Sequence, residues 1–430
     1  MKFYTLSNSN FLTYKQKFSL FFLPIGKNFR IIIVQEIEVT MLKERYLTKD
    51  IMEDLQSKMV FIGGARQVGK TTLARKILPK SVSNSQYYNW DYAPDRKKIK
   101  NLELPGDNAL VIFDEIHKYK KWKTTIKGIY DVYKNKYKIV VTGSAKMNIF
   151  RKGGDSLQGR YHYYNLHPFS LAELTGTINA ISPSNELLID TRNNIDQFET
   201  LFKFGGFPEV LLTESTRTLR RWHNEKLERL FREDIRDVEN IRDVGNMKLL
   251  GDMLPDKVGS PLSINAIRED LEVSHKAVTN WLSILELFYY HFRIYPYHSN
   301  KIRSLKKEAK LYLIDWSEIE DEGIRFENMV ASHLLKFVEY LQQSQGYKLT
   351  LNYLRNVDKK EVDFLVSLNN KPWFAVEAKL NETKVSSSLN YFKDRLNIPI
   401  VYQVIRKNNT DIMKDDIRII SADKFLNNLI

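Results

Sequence analysis

The sequence predicts an α/β protein, a parallel sheet carrying a phosphate-binding loop, followed by helical modules and closed by a second α/β unit. Three observations predict it. Short apolar runs at Met59–Ile62, Leu110–Phe113 and Lys138–Thr142 end in polar or glycine residues, as strands buried on both faces do. A glycine loop of the form G-x-x-x-x-G-K-T separates the first run from a helical stretch, Thr72–Leu78. From Arg325 onward the pattern reads helix, strand, strand, strand, helix, strand. The 430 residues exceed one domain of roughly 100–200 residues.

The first forty residues stand apart. Their run Phe18–Ile25 is too short to span a bilayer, which takes roughly 18 apolar residues, and no convincing small-residue cleavage site follows it. From Met41 the stretch MLKERYLTKDIMEDL places charged and apolar residues at helical spacing. Residues 1–40 are therefore expected to be a non-native or disordered leader, with a signal anchor as the alternative. The expected nucleotide-binding domain covers 41–175. A helical lid follows over 176–246, interrupted at Gly205-Gly-Phe-Pro208. Two helices of helix-turn-helix size, Ser263–Leu271 and His275–Leu287, lead into strands and complete a winged-helix outline over 247–314. The last domain is expected over 315–430.

Composition excludes several chemistries. There is no Cys, which rules out disulfides, thiolate metal sites, Cys nucleophiles and iron–sulfur clusters, and favours a cytoplasmic location. The 8 His are scattered, without HExxH. Hydrophobic content of 43% and charged content of 27% suit a protein with a real core and no stable membrane insertion. Lys+Arg 66 against Asp+Glu 52 leaves a formal charge of +14, compatible with DNA or RNA as partner.

The loop Gly64, Ala65, Arg66, Gln67, Val68, Gly69, Lys70, Thr71, running into Thr72, is the nucleotide-binding candidate. Its glycines let successive N–H groups point at phosphate oxygens, Lys70 reaches the outer phosphates, and Thr71 offers a hydroxyl to Mg²⁺. Asp114 emerges at the carboxyl end of Leu110–Phe113, where open α/β sheets bind ligands, and is the second metal-side group. Glu115 is placed to deprotonate the attacking water, which points to ATP hydrolysis. Thr142 or Ser144, where the third run meets Gly143, is the candidate γ-phosphate sensor. Arg160, after a glycine-rich loop, is either an arginine finger for a neighbouring subunit or a surface Arg; the first reading implies a homo-oligomer.

GARQVGKTTLARKIL, IFDEIHK, VTGSA, SLQGRYHYYNLHPFSLAEL and GGFPEVL together resemble a large group of bacterial and archaeal AAA-type ATPases that pair a P-loop domain with a C-terminal domain of uncharacterised role. The resemblance spans roughly residues 41–430. It implies ATP and Mg²⁺ as cofactors, with Lys70, Thr71, Asp114 and Glu115 in the roles above.

Farther on, Glu361-Val-Asp363 begins one strand and Trp373-Phe-Ala-Val-Glu377-Ala-Lys379 forms the next. Alternation on a strand puts Glu377 and Lys379 on one side, and Asp363 can meet them from the partner strand. This resembles the D…E-x-K core of the PD-(D/E)xK nuclease superfamily, a restriction-endonuclease-like α/β fold. The resemblance implies metal binding by Asp363 and Glu377, water activation by Lys379 and a further carboxylate from Glu327. Val362 stands where that pattern has proline. A solvated charged hairpin is the alternative. Ser274, Lys276, Thr279 and Asn280 on the second helix, and Lys301, Arg303, Lys306 and Lys307 on the wing, are the candidate nucleic-acid contacts. The expected function is a Mg²⁺-dependent AAA-type ATPase coupled to nucleic-acid handling. The alternative is an ATP-driven switch whose terminal domain binds a protein and lacks nuclease activity.

Overall fold

A computed structural model describes residues 14–25, 28–39, 43–106, 108–143, 157–177, 181–187, 192–235, 243–298 and 308–430. Residues 1–45 and 46–430 form two separate compact units. In the first, β1 (Tyr14–Ile25) and β2 (Asn28–Val39) pair as an antiparallel hairpin. The β-branched run Ile31-Ile-Ile-Val34 favours a strand here.

The second unit opens with α1 (Thr48–Asp54) and a five-stranded sheet of β3 (Met59–Gly64), β4 (Ser85–Asn89), β5 (Ala109–Asp114), β6 (Tyr137–Thr142) and β7 (Tyr161–Leu166). Its order is β4-β5-β6-β3-β7, and every neighbouring pair is parallel. The phosphate-loop strand β3 is therefore an inner strand. β3 and β5 are buried along their whole length, as their uninterrupted apolar runs require. Helices α3 (Ala93–Asn101) and α4 (Trp122–Tyr133) cover one face, where Ile99, Trp122 and Ile126 pack with Phe61, Val111 and Val141. Between β3 and β4 the loop helix α2 (Lys70–Thr72) continues as a π-helical turn, Leu73–Ile77.

The helical segment holds α5 (Leu171–Thr175), α6 (Ile195–Phe204), α7 (Pro208–Thr213) and α8 (Thr216–Arg229). The break at Gly205 has a steric cause: φ is 73°, and a Cβ there would lie 2.6 Å from Asp315 Oδ1. Next come α9 (Val244–Met253), α10 (Ile264–Asp270) and α11 (His275–Leu287), followed by the antiparallel pair β8 (His291–Pro296) and β9 (Lys310–Leu313).

The remaining elements are α12 (Glu322–Gln345), β10 (Leu349–Arg355), β11 (Glu361–Leu368), β12 (Lys371–Lys379), α13 (Ser387–Leu396), β13 (Ile400–Ile405), β14 (Asp411–Lys414), β15 (Ile417–Ser421) and α14 (Ala422–Asn427). The eight-stranded sheet runs β14-β15-β13-β12-β11-β10-β8-β9. It crosses the boundary expected at 314/315, because β8 pairs parallel with β10 through Asn352 opposite Tyr295. The expected break between two domains is thus bridged by backbone hydrogen bonds.

Helix α12 also joins this sheet to the first one. Lys336 Nζ donates to Pro168 O at 3.1 Å, to Ser170 Oγ at 2.9 Å and to the Glu173 carboxylate, and it lies 4.2 Å from the Tyr46 ring centroid. Glu339 bonds Asn165 Nδ2 at 2.7 Å and His167 Nε2 at 2.9 Å. Among the described residues no helix is long and apolar enough to cross a membrane.

Candidate active site and C-terminal carboxylate cluster

The glycine loop turns at the carboxyl edge of the parallel sheet. Gly64 sits at φ 133°, and a Cβ there would lie 2.4 Å from Leu166 O, so any side chain would push against β7. Lys70 is buried, and its ammonium donates to Gly64 O at 3.0 Å and Ala65 O at 2.7 Å, folded over its own loop. Thr71 Oγ1 donates to Asp114 Oδ2 at 2.9 Å. The structure therefore brings the two predicted magnesium-side residues together across β3 and β5. Hydroxyl and carboxylate form a donor set of hard oxygens beside a phosphate cradle of loop amides, which fits a nucleotide-bound Mg²⁺.

Two further hydroxyls hold Asp114. Tyr87 OH, on the edge strand β4, donates to Oδ2 at 2.6 Å, and Thr142 Oγ1 donates to Oδ1. Thr142, one of the two sensor candidates, is thus fully buried and committed to the Asp114 carboxylate instead of facing outward. The other candidate, Ser144, lies outside the described residues. Burial and the hydrogen bond to Asp114 push the Tyr87 pKa well above its ordinary value, so it stays a donor.

Glu115 follows on a left-handed turn, φ 56°, an uncommon conformation for a residue other than glycine and one often found at functional sites. Burial raises its pKa, opposed by Lys118, whose ammonium is 3.4 Å away. Arg160 lies at the surface, tied back to its own chain. Its guanidinium is bidentate to Asp131 on α4 of the same chain, at 2.7 and 3.1 Å.

Residues of the helical segment approach the loop. Ala65, Gln67, Phe207, Trp222, Arg229 and Tyr290 line a cleft there. Gln67 Nε2 donates to Glu209 Oε2 at 2.9 Å, and Arg229 Nη1 donates to Gln67 Oε1 at 3.2 Å. Arg229 was hidden in sequence among the i,i+4 charge pairs of α8, of which Glu225 is its partner at 3.1 Å.

At the other end of the chain Asp363 lies across from Glu377, one step from the Phe364–Val376 pair in the β11–β12 register. Lys379 Nζ is 3.0 Å from Glu377 Oε1. Asp363 Oδ2 accepts from Ala378 N–H at 2.9 Å. Glu327, on α12, accepts from Tyr312 OH at 2.7 Å. All four residues of the D…E-x-K reading are therefore neighbours. Burial and then the Asp363 charge raise the pKa of both Glu327 and Glu377. The sequence reading missed Lys310. Its ammonium, only 1% exposed, reaches Glu361 Oε1 at 2.6 Å, Glu327 Oε1 at 3.3 Å and Asp363 Oδ1 at 3.8 Å. Among the described residues no three His, Asp or Glu side chains converge closely enough to hold a metal ion.

On α11, Ser274 caps the helix by accepting from Ala277 N–H at 3.2 Å, and Thr279 Oγ1 bonds back to His275 O at 2.9 Å. Lys276 and Asn280 remain exposed. Lys301, Arg303, Lys306 and Lys307 lie outside the described residues.

Comparison with known proteins divides the chain in three. Residues 56–175 match the model of an AAA domain. That segment is similar to AAA domains. Residues 195–317 and 322–425 match two models described as domains of unknown function, DUF8612 and DUF4143, neither of them described as a nuclease. The chain is 24% identical over 408 residues to the uncharacterized protein MJ1544 of Methanocaldococcus jannaschii, covering 87% of this chain and 88% of that one. An uncharacterized protein of Haemophilus influenzae is 23% identical over 352 residues, 75% of this chain and 83% of its own. Among solved structures, the Aeropyrum pernix ORC1 protein in complex with DNA is 12% identical at TM-score 0.32, covering 69% of this chain and 94% of that one. The Thermotoga maritima RuvB Holliday junction branch migration motor is 16% identical at TM-score 0.30, covering 58% and 90%. Scores at that level carry no functional argument.

Proposed function

We propose that this chain is a Mg²⁺-dependent ATPase that couples nucleotide state to the handling of nucleic acid, with residues 247–314 acting as a winged helix and residues 315–430 as a nuclease-like fold. The observation that carries the ATPase reading is the meeting of Thr71 and Asp114 beside Lys70 at the carboxyl edge of the sheet. Bound Mg²⁺ supplies neutralisation of phosphate charge, and Thr71 and Asp114 are the residues that would hold it. Lys70 exchanges its loop carbonyls for the outer phosphates. Glu115, with its pKa raised by burial, accepts the proton of the attacking water. Arg229 brings a fixed positive charge from the lid to the loop. The test is ATP turnover with and without DNA or RNA, alongside Lys70→Ala. Turnover that survives Lys70→Ala would remove the assignment.

The nucleic-acid half of the reading is supported by the +14 surplus and by exposed Lys276 and Asn280. Binding that falls steeply with salt is expected. The expected location is the cytoplasm. Assembly into a homo-oligomer with Arg160 acting between subunits requires that Arg160 leave Asp131, and it predicts turnover that rises with protein concentration and is lost in Arg160→Ala.

A second reading is favoured by Lys310. An ammonium already bound to the carboxylates suits a terminal domain that binds a protein partner and lacks nuclease activity, with ATP as the switch. Supercoiled DNA incubated with Mg²⁺ or Mn²⁺ separates the two. Cutting that disappears in Asp363→Ala and Lys379→Ala supports the first, and no nucleic-acid affinity at low salt supports the second.

A further inference from the structure

The carboxylate cluster gathers more carboxyl groups than ammonium groups. Glu327, Glu361, Asp363 and Glu377 face two ammonium groups, Lys310 and Lys379, and only Glu361 has an additional cation, Arg355 at 3.1 Å. The lysines also divide the cluster unevenly. Lys379 serves Glu377 alone, while Lys310 serves the other three. Glu377 is 4% exposed, and its Oε2 is buried with no hydrogen-bond partner. A buried carboxylate oxygen without a donor is costly and points to capacity for a cation.

Lys310 is fixed in place by its backbone. It sits in β9, paired with Ile294 of β8 and bridged to Pro261. Its stem is buried and its ammonium cannot reach water without leaving the cluster. We propose that Lys310 is the resident cation of this cluster, a tethered ammonium that keeps a divalent ion from binding to Glu327, Asp363 and Glu377. Occupancy by Lys310 Nζ and by a divalent ion is mutually exclusive, because both need the facing oxygens of Glu327 and Asp363. The C-terminal domain is then closed to divalent metal for as long as β9 stays in the sheet, and it opens when Lys310 is withdrawn. This rests on reading Glu327, Asp363 and Glu377 as a cation-binding set that draws together only once Lys310 is withdrawn, since as they stand no three carboxylates converge closely enough to hold a metal ion.

The test uses the full chain without nucleotide and Mn²⁺ as probe, read by thermal melting and by titration calorimetry. Lys310→Met and Lys310→Gln are expected to melt below the wild type and to be raised by several degrees in about 1 mM Mn²⁺, with affinity at least about tenfold tighter than wild type. Lys310→Arg, which keeps the charge, gains nothing. Adding Asp363→Asn abolishes the gain and so locates it. Wild type that binds Mn²⁺ as tightly as Lys310→Met, with loss in Asp363→Asn, overturns the exclusion by Lys310 while leaving the cation-binding set intact. Folded variants that bind no Mn²⁺ overturn both. Should Lys310→Met and Lys310→Gln be unfolded without metal, recovery of native circular dichroism in Mn²⁺ supports the proposal and failure to recover overturns it.

Discussion

Tyr87→Phe removes one hydroxyl and leaves the ring, so it isolates the bond to Asp114. That bond is 2.6 Å long, made to a carboxylate, and shares Oδ2 with Thr71. Hydrogen bonds to charged groups contribute about 1.5–3 kcal/mol. Asp114 keeps two other donors, Thr71 and Thr142, so the lower end applies, about 1.5 kcal/mol, or roughly tenfold in an equilibrium constant. The loss should appear where the orientation of Asp114 matters. Residues that position a metal-side carboxylate typically contribute about 10–100-fold to metal affinity. The expected outcome is a rise of about tenfold in the Mg²⁺ concentration for half-maximal ATP turnover at saturating ATP, with nucleotide affinity measured in EDTA unchanged. A Mg²⁺ dependence that matches wild type within twofold would refute the argument that Tyr87 holds Asp114 for the metal.

Glu115→Gln should retain ATP binding and lose about 10²–10⁴-fold in turnover, measured as single-turnover hydrolysis; an undiminished rate removes Glu115 as base. Lys336→Met leaves Glu173 without its ammonium, although Tyr46 N–H at 3.0 Å still donates to that carboxylate. The expected cost is about 3 kcal/mol, seen as a lower urea midpoint and partly recovered by adding Glu173→Gln. His291 and His333 are buried, and burial lowers their pKa to about 4. Their folded values lie below the ordinary value near 6.5, so the unfolded chain takes up protons first. Stability is complete above about pH 6.5 and declines toward pH 4, by up to about 3 kcal/mol per residue. His333 Nε2 accepts from Leu171 N–H at 3.2 Å, a bond the imidazolium cannot make. A urea midpoint that stays flat from pH 7 to pH 5 would contradict this.

What could be read in sequence was local. The strands β3, β5 and β6 announce themselves because a strand buried on both faces needs an unbroken apolar run, and the loop between Gly64 and Thr71 because its glycines meet a backbone requirement. The Asp363, Glu377 and Lys379 constellation follows from alternation along two adjacent strands. The residues that escaped notice depend on distant packing. Tyr87 finds Asp114 only because β4 lies beside β5, and β4 itself, Ser85-Gln-Tyr-Tyr-Asn89, is too polar to advertise an edge strand. Lys310 follows the basic residues Lys306 and Lys307 in sequence and is not set apart from them there, yet it turns inward because β9 joins β8 next to α12. Its partners lie 17, 51 and 53 residues away in sequence, at Glu327, Glu361 and Asp363.

The shared helix α12 bears on how this protein can be taken apart. Its 24 residues span roughly 36 Å, with Glu327 near one end in the carboxylate cluster, and Lys336 and Glu339 farther along against the segment after β7 and β7 itself. Cutting the chain at 314/315 would strip β8 and β9 from the eight-stranded sheet and leave Lys336 and Glu173 on separate fragments, each a buried charge without its counterpart. Neither fragment is a self-sufficient piece. The two sheets therefore behave as one folding object, and a chimera that exchanges either for a relative's must carry α12 together with the surfaces of both neighbours.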